Sequence, residues 1–556
     1  MGFVMVSTQV ERNCLFQQAL EDWRKLLGSR RIKSALNECS DFEKATFKTH
    51  SKILAIIAIE TREELQAVIK IANFHQITVY PISGGKNWGL GSRVPTQTGS
   101  VVLDLRGMNQ ITQFNEEMAT IRVQAGVSFQ QVFDFLDSKN ADLMIDPTGG
   151  SPEASVIGNT AERGHGMGPY ADRADHVCNL EVVLPTGKVI RTGFGQFSGM
   201  ELDMVQHDLA SLHKTGVGPS LDQLFTQSNL GIITEMTVHL LPKPKYYQGF
   251  SFAVQNLETL ELLIDKLRDL KLMGLRTSFR IFNDRRIISF FQQRPKETLG
   301  NEERALTDLE IATLRKKYSI KGLWGIGPWN VHGSLLSASK AMGKAERQLI
   351  KKTLSSLVSS IQFIDEKRAF FLRCIRPFLR KETQKKLDLV LNLGYDKTPL
   401  RGAPMSSALS MCYWQKKDRV PSSPDPDRDS CGVLWFCPVA PFHGASMRAL
   451  IETSQSIVRG YGFDFNFGFL GNTERCFDVT GAICYDRELE NSDERAMACH
   501  DELMDVLFEK GYFPYRLGIQ SMSLLKKQDP DYADFMTQLK STIDPNAILA
   551  PGRYER

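Results

Sequence analysis

The sequence predicts an α+β fold divided into two main domains. The chain has 556 residues, which is more than one ordinary hydrophobic core accommodates. Short β-rich runs alternate with helix-like segments up to about residue 245. There "LLPKPKYYQGF" brings two prolines and two lysines, and longer helix-like segments follow. We therefore expect a first domain over 1–245, with its core at about 46–245, a second domain over 246–500, and a C-terminal segment over 501–556.

The first domain is predicted to begin with a helix at about 16–28, followed by a strand, a helix, a strand and a loop. The second of these helices follows Thr61, a good N-cap residue, and it places Leu65, Val68 and Ile69 at helical spacing. Short strands are expected next, at "SVVLDL", "TIRVQAG", "LEVVLPTGKVIRTG" and "GIITEMTVHLLPKP". The segment "SFQQVFDFLDSK" adds a helix between them.

The second domain is predicted to mix helices and strands, beginning with the helix "NLETLELLIDKLRDLKL". One stretch, "QKKDRVPSSPDPDRDSCG", is rich in proline, serine and charge, which predicts a surface loop. The C-terminal part contains a long helix, "SDERAMACHDELMDVLFEKG", and ends in "STIDPNAILAPGRYER".

Composition argues against several classes of protein. The formal net charge of +4 is small for this length, so neither nucleic acid nor a membrane surface is an expected partner. The ten cysteines form no CxxC pair, which predicts neither a disulfide scaffold nor a metal site. The N-terminus lacks the pattern of a signal peptide, and the longest aliphatic run, "ILAIIAI", is too short to span a bilayer. We expect a cytoplasmic protein.

Three glycine-rich segments are the candidate ligand-binding loops. They are "PISGGKNWGLGS", "DPTGGSPEASVIGNTAERGHG" and "TGVGPSLDQLFTQSNLGIITE". None is a Walker A loop or a Rossmann fingerprint. Glycine lets the backbone come close to a ligand and present N–H groups to a pyrophosphate, although each segment taken alone could be an ordinary turn.

Together these segments resemble a known family. In order along the chain, "PISGGKNWGLGS", "GSVVLDLRGMNQI", "VQAGVSFQQVFDFL", "VIGNTAERGHG", "LEVVLPTGKVIRTG", "GPSLDQLFTQSNLGIITEMTVHLLPKP" and "DPNAILAPGR" resemble the vanillyl-alcohol oxidase family of flavoproteins, in particular its 4-cresol methylhydroxylase branch. The resemblance implies a two-subdomain, PCMH-like FAD-binding domain, an α+β cap domain that binds substrate, and a C-terminal tail that returns to the FAD domain.

The resemblance also implies which residues hold FAD. The first loop would wrap the pyrophosphate, the second would run beside the cofactor, the third would lie near the adenosine, and a basic residue near the flavin pyrimidine ring would stabilise the anionic reduced form. The corresponding residues are Ser83, Gly84, Gly85, Lys86, Asn87 and Gly89; Gly158, Asn159 and Thr160; Gly231, Ile232 and Ile233; and Arg553.

The adjacent pair Tyr515 and Arg516 in "GYFPYRLG" is the candidate substrate-binding pair. In the phenol-oxidising relatives such a pair binds the substrate phenolate, because a guanidinium and a phenol hydroxyl stabilise one negative oxygen. The alternative is a buried tyrosine beside an arginine in an ion pair. Asp172 matches an acidic residue near flavin N5 and could act as a base, or it could simply make a turn hydrogen bond.

Several positions depart from the family pattern. Leu90 replaces a second phenolate-binding tyrosine, and Phe469 lies near the place of an acidic residue, so the pocket is expected to take a larger or more apolar phenol. Lys86 stands where other branches link the flavin through histidine, and "CGVLWF" offers none. We expect non-covalent FAD, with a link through Tyr413 as the alternative, and a structural role for His443.

Three functions are compatible with these residues. The leading one is an FAD-dependent oxidoreductase, oxidase or dehydrogenase, that takes a hydride from a phenolic or similarly activated aromatic substrate. In the second, the substrate is a hydroxy acid or another alcohol, and Arg516 binds its carboxylate. The third is a redox-inactive protein that keeps the flavin fold. The electron acceptor would be O2 or a redox protein such as a cytochrome, and the relatives suggest a homodimer.

Overall fold

The structure is a computed structural model that describes residues 9–555 apart from 167, 169, 171, 199–207, 276, 292, 299–303, 321–322, 397 and 472. Its strands are β1 Ile32–Lys33, β2 Ile53–Ala58, β3 Val79–Ile82, β4 Ser100–Asp104, β5 Ile111–Asn115, β6 Thr120–Gln124, β7 Leu143–Met144, β8 Val177–Val183, β9 Val189–Arg191, β10 Ile232–His239, β11 Leu241–Pro242, β12 Tyr246–Val254, β13 Thr277–Asn283, β14 Trp329–Ser337, β15 Gln362–Ile364, β16 Cys431–Phe436, β17 Val439–Pro441, β18 Gly468–Gly471, β19 Cys476–Val479 and β20 Gly481–Asp486. Its α-helices are α1 Gln9–Leu27, α2 Leu36–Cys39, α3 Arg62–Phe74, α4 Phe129–Ser138, α5 Val156–Ala161, α6 Leu257–Leu272, α7 Asp284–Ser289, α8 Asp308–Tyr318, α9 Lys340–Leu354, α10 Glu366–Ile375, α11 Lys381–Gly394, α12 Gly444–Gly460, α13 Ser492–Glu509 and α14 Pro530–Ile543.

Two larger sheets, together with a two-stranded pairing of β7 and β11, form the part of the molecule that precedes β12. The first has the order β1-β2-β4-β3, in which β2 and β3 both run parallel to β4. The second is antiparallel, with the order β5-β6-β10-β8-β9. Helix α3 begins after Thr61, whose side chain accepts from the Glu64 N–H in the predicted capping box, and it buries Leu65, Val68 and Ile69. These two sheets carry the glycine-rich loops at their ends.

A seven-stranded antiparallel sheet of order β15-β12-β14-β13-β18-β19-β17 forms the centre of the second half. One face packs against α6, α9, α12 and α13 around Phe279 and Phe469. The other face packs against α8, α10 and α11 around Phe282 and Leu470. Because alternate residues of a strand point to opposite faces, β13 places Phe279 in one layer and its neighbour Arg280 in the other.

The C-terminal tail returns to the first sheet, as the resemblance implied. Leu549 pairs with Val79 of β3 in a parallel bridge, and the Ala550 N–H donates to the Val79 carbonyl at 2.8 Å. This pairing brings Arg553 to the end of β3, where the first glycine-rich loop begins. The mixed arrangement of helices and sheets confirms the predicted α+β class.

The proline-rich stretch 415–432 only partly fits the predicted surface loop. Residues 417–424 are exposed or half-buried, but Asp427 is buried, and its Oδ1 accepts from the Ser92 hydroxyl at 2.8 Å. Asp427 also lies 3.5 Å from an Arg93 guanidinium nitrogen. The second half of this stretch therefore packs near the first glycine-rich loop, because the Asp427 carboxylate is buried against Ser92 and Arg93.

Among the described residues we find no candidate membrane-spanning helix, no metal-binding cluster and no disulfide bond. None of their helices has the length and apolar character that a bilayer crossing requires. No group of three or more histidine, cysteine or acidic side chains among them is arranged to hold a metal ion. All ten cysteines are free thiols, and seven of them are buried.

Candidate active site

The three glycine-rich segments meet at one long cleft. Thirteen of the residues proposed from sequence line it, and they are Ser83, Gly84, Gly85, Lys86, Asn87, Leu90, Gly158, Asn159, Gly231, Ile232, Ile233, Arg516 and Arg553. Further walls come from Tyr80, Phe225 and Ala550. Folding thus brings together side chains that are more than 400 positions apart in the chain.

The glycines allow the loops that form the cleft to pack closely on each other. A Cβ at Gly84 would lie 2.9 Å from the backbone nitrogen of Ser155, and one at Gly85, where φ is +64°, would lie 2.6 Å from Arg93 Cγ. The Ser155 hydroxyl caps α5 by accepting from the Gly158 N–H at 2.9 Å. The first two loops therefore need glycine for contact with each other as well as for space near a ligand.

Two other proposed cofactor residues face away from the cleft. Gly89 packs against Trp435, where a Cβ would overlap the indole ring. Thr160 is fully buried in α5, and its hydroxyl donates to the Val156 carbonyl at 2.8 Å. Both residues support the loops that carry the lining residues.

The cleft suits a dinucleotide such as FAD. Lys86 and Arg516 supply positive charge, and Asn87 supplies an amide. Ile157, Ile232 and Phe225 supply apolar walls. The Nε of Arg516 is buried without a hydrogen-bond partner, which fits a site completed by a bound group.

Arg553 is held at the cleft by a buried ion pair. Its guanidinium lies 2.6 Å from a carboxylate oxygen of Glu162, which also accepts from the Tyr554 hydroxyl at 2.7 Å. Burial opposes ionisation of Glu162, but Arg553 and Arg516 outweigh it and lower the pKa of Glu162. The pair therefore keeps a fixed, charged guanidinium on the cleft wall.

Arg516 lines the cleft, and the Tyr515 N–H before it donates to the Cys437 carbonyl at 3.0 Å, just before β17 of the seven-stranded sheet. Arg516 donates from Nη2 to the Asn87 Oδ1 at 2.7 Å, and it forms no ion pair within the described residues. Burial raises the pKa of Tyr515 well above 10, so its phenol stays protonated and can donate. Within the described residues Arg516 therefore lacks the ion pair that the purely structural interpretation of the Tyr515–Arg516 pair predicted.

Two groups beside Tyr515 were not identified from the sequence. The His165 ring meets the Tyr515 ring edge-on at 4.6 Å between centroids, and its Nε2 lies 3.4 Å from an Asp478 carboxylate oxygen. Burial, reinforced by Asp172, raises the pKa of Asp478 to about 7. These residues lie in "GHG" and at the end of β19, and no motif in the sequence links them. Together they form a buried histidine–carboxylate contact beside Tyr515.

Asp172 lies near this pair and has a structural partner as well. Its carboxylate accepts from the Ala174 N–H at 3.0 Å at the start of a short 3-10 turn, which is the hydrogen bond expected of a turn residue. Burial, together with Asp175, raises the pKa of Asp172. A catalytic role for Asp172 stays a prediction.

Leu90 and Phe469 have different surroundings. Leu90 lines the cleft and adds an apolar side chain to its wall, while its contact with a substrate stays a prediction. Phe469 is fully buried between Phe467 and Phe477 in the core on the far face of the seven-stranded sheet. It does not line the cleft, and the next residue, Leu470, occupies the other face of β18.

Tyr413 and His443 also lie apart from the cleft lining. Tyr413 is buried in a cluster with Trp88 and Cys412, and its hydroxyl donates to the Asp429 carboxylate. His443 precedes α12, and its Nδ1 lies 3.1 Å from the Ser446 hydroxyl. A covalent link through Tyr413 would require the hydroxyl to leave Asp429.

Comparison with known proteins agrees with this geometry. Residues 53–193 match the family model of the FAD binding domain. The 1'-carboxy-chondrochloren decarboxylase of Chondromyces crocatus is 39% identical over 97% of both chains. The 4-cresol dehydrogenase [hydroxylating] flavoprotein subunit of Pseudomonas putida is 27% identical over 97% of this chain and 95% of its own. The crystal structure of p-cresol methylhydroxylase with substrate bound superposes with a TM-score of 0.83, at 26% identity, over 99% of this chain and 98% of that one.

The fold and the cleft define an FAD-dependent oxidoreductase, and FAD is its cofactor. Within that class, the chain belongs to the p-cresol methylhydroxylase and vanillyl-alcohol oxidase type of flavoproteins. The similarity extends over nearly the whole chain, so the cap half and the C-terminal tail share it with the FAD-binding half.

Proposed function

We propose that this enzyme oxidises a phenolic substrate at the benzylic carbon attached to the ring para to its hydroxyl. The observation that carries the proposal is the adjacent pair of Tyr515, a protonated donor, and Arg516, a guanidinium on the cleft with an unpartnered Nε. The name of the 27% identical relative, a cresol dehydrogenase, and that of the p-cresol methylhydroxylase structure also support it.

The pair would bind the substrate oxygen and favour its phenolate form. An adjacent cation lowers the pKa of a phenol, and a second donor shares the developing charge. A phenolate pushes electron density into the ring, which weakens the benzylic C–H bond. When bound, FAD supplies the acceptor for the hydride that leaves this carbon. Asn87 fixes the direction of the Arg516 guanidinium through its 2.7 Å hydrogen bond.

His165 and Asp478 would handle protons at the same end of the substrate. A carboxyl whose pKa is about 7 can both accept and release a proton near neutral pH, which is the condition for general acid–base work. Asp172, proposed from the sequence as a base, adds negative charge beside Asp478 and so helps to hold its pKa high.

A second candidate is oxidation coupled to loss of CO2, which the name of the 39% identical relative favours. Once a hydride has left the benzylic carbon, a carboxylate on the neighbouring carbon can leave as CO2. The electron pair of the broken carbon–carbon bond then forms a C=C bond and restores the phenolate. The two oxidation electrons go to FAD, so atoms and charge balance.

One experiment separates these functions and the hydroxy-acid alternative. The holoenzyme is mixed without oxygen with 4-ethylphenol, with 3-(4-hydroxyphenyl)propanoate, with 3-phenylpropanoate or with D-lactate, and flavin absorbance is followed. We expect the two phenols to bleach the flavin and 3-phenylpropanoate to leave it oxidised. Conversion of 3-(4-hydroxyphenyl)propanoate into CO2 and 4-vinylphenol would establish the second candidate. Bleaching by D-lactate alone would refute the phenolic substrate.

Three further measurements test the electron acceptor and the assembly. Admitting air to the reduced enzyme tests O2 as the acceptor, and adding a cytochrome c tests a redox protein, as expected from the cresol-type relatives. Sedimentation at several concentrations tests the proposed homodimer. Reoxidation by neither acceptor would contradict both acceptor proposals.

A further inference from the structure

A second pocket lies in the cap half, the part of the chain from β12 to β20, between the seven-stranded sheet and the helices on the face of that sheet that carries Phe282. Its floor is formed by neighbouring residues of β12, β13 and β14, and its walls are mostly aromatic and aliphatic. The side chains that matter for its chemistry are Ser251, Arg280, Phe282, Trp324, His332 and Leu400. Its apolar walls and enclosed shape are those of a small-molecule site.

Arg280 is the only charged side chain among the described residues that line this pocket. It is 5% exposed, its Nε and Nη2 have no hydrogen-bond partner, and it forms no ion pair within the described part of the chain. Burial lowers the pKa of Arg280 to about 10, which still leaves the guanidinium charged at neutral pH. The nearby Asp146 carboxylate offsets part of this burial, but two of the guanidinium nitrogens stay without hydrogen bonds, so a bound anion would remove a penalty that the free protein carries.

His332 faces Arg280 directly across β13 and β14, and Ser251 follows on β12. Burial and the neighbouring guanidinium lower the pKa of His332 to about 4, so the imidazole is neutral. Its Nε2 also lacks a partner. One cation flanked by neutral polar groups suits a monoanion such as a carboxylate better than a phosphate dianion.

The pocket adjoins the active site through two shared elements. Helix α7 places Ile287 in the pocket wall, while its neighbour Arg286 stacks over Trp435 at 5.1 Å and lies near Tyr515. On the other side, Gly149 lines the pocket, and Arg173 binds the Asp146 carbonyl of the same loop at 2.9 Å. Arg173 in turn binds the side chain of Asn159, a cleft residue.

We propose that the cap pocket binds a carboxylate at the far end of the substrate, with Arg280 as the residue that recognises it. The substrate class is then a phenolic acid with an apolar arm between its phenol and its carboxylate. That this acid is the substrate rests on the proposed phenol oxidation, whereas binding of an apolar carboxylate by the pocket does not.

The test is calorimetric titration of the holoenzyme with 4-phenylbutyrate and with the neutral 4-phenyl-1-butanol. We expect the acid to bind more tightly than the alcohol, and Arg280→Met to weaken acid binding by about 10- to 150-fold, the range for a charge-assisted hydrogen bond. Arg475→Met, at an arginine whose side chain is 81% exposed, is the matched control and should bind the acid like the wild type. Equal binding of the acid by Arg280→Met and the wild type would overturn the proposal.

Two further measurements guard against a folding artefact. Removing an unpaired buried cation should leave the Tm of Arg280→Met equal to or above that of the wild type, and a clear fall would show that Arg280 has a structural partner instead. Ser251→Phe keeps the guanidinium and fills the pocket, so it should also abolish acid binding. Full acid binding by Ser251→Phe would place the acid elsewhere and overturn the proposal.

The outcomes for pocket and function are distinguishable. If phenols fail to bleach the flavin but 4-phenylbutyrate binds through Arg280, the proposed function fails and the carboxylate site stands. If phenols bleach the flavin and Arg280→Met binds the acid normally, the carboxylate site fails and the proposed function stands.

Discussion

Replacing Arg516 by methionine tests the central chemical claim about this enzyme. Methionine keeps much of the side-chain length and apolar volume but removes the guanidinium that faces the cleft. It also removes the 2.7 Å hydrogen bond to Asn87, whose amide can turn to other partners. Tyr515 keeps its protonated hydroxyl, so the variant isolates the contribution of the cation.

The expected loss can be obtained in two ways. A charge-assisted hydrogen bond contributes about 1.5–3 kcal/mol, which corresponds to about 10- to 150-fold in rate. Alternatively, a cation within a few ångströms lowers a phenol pKa of about 10 by about 1–3 units, so its removal decreases the phenolate fraction at pH 7 by about 10- to 1000-fold. Both estimates describe the same interaction, so they are not multiplied, and we expect a loss of about 10- to 150-fold.

The assay is the rate of flavin reduction by 4-ethylphenol without oxygen, measured from pH 6 to pH 11. In the wild type the rate should rise with pH and level off above the pKa of the bound phenol. In Arg516→Met the rise should move up by about 1–3 pH units, and the two rates should converge at high pH. Arg475→Met serves as the surface control. An unshifted pH profile would refute the idea that Arg516 stabilises the phenolate, whatever the change in rate.

Three other predictions concern the carboxyl pair, the first loop and the flavin link. Burial raises the pKa of Asp478 to about 7, so the stabilising contribution of its protonated form is complete below about pH 4 and is lost as the pH rises through 7. Asp478→Asn should therefore be more stable than the wild type at pH 8, by about 1–4 kcal/mol in the free energy of unfolding. At pH 4 thermal unfolding should not distinguish the two proteins. Gly84→Ala should bind FAD more weakly in a reconstitution titration yet stay folded by circular dichroism, because its Cβ would press on the backbone of Ser155; unchanged flavin content would contradict this. Acid precipitation should release the flavin into solution, and flavin retained on a peptide containing Tyr413 would show instead that this residue leaves Asp429 to form the covalent link.

Local pattern predicted the helices and strands well where each element is strongly amphipathic or apolar. Helix α3 begins after Thr61, because its capping box and apolar spacing act within one segment. The loop after Tyr413 was harder, since its charged composition is typical of exposed chain. Asp427 is buried there only because Ser92 and Arg93, more than 300 positions away, provide its partners.

In the candidate site, too, residues in local motifs could be predicted, whereas residues brought together only by tertiary packing could not. Loop residues such as Gly84 and Gly158 occur in ordered motifs, so a resemblance could place them at one cleft. Asp478 and His165 meet only through tertiary packing, and an aspartate at the end of a strand carries no local sign of a raised pKa. Phe469 shows the limit of position alone, because a shift of one residue along β18 decides which face of the sheet a side chain occupies.

Three buried or half-buried arginines, two at the cleft and one in the cap pocket, differ in when a negative charge would reach them. Arg553, held by Glu162, and Arg516, held by Asn87, face the cleft, where the proposed reaction would create charge on the flavin and on the phenol. Both have fixed partners, which suits groups that must be in place before charge develops. Within the described residues Arg280 forms no ion pair and lies in an apolar pocket, so under our proposal the anion that it binds would arrive with the substrate. A neutral alkylphenol would use the first two and leave the third unpaired, and selectivity for an acid follows from that difference.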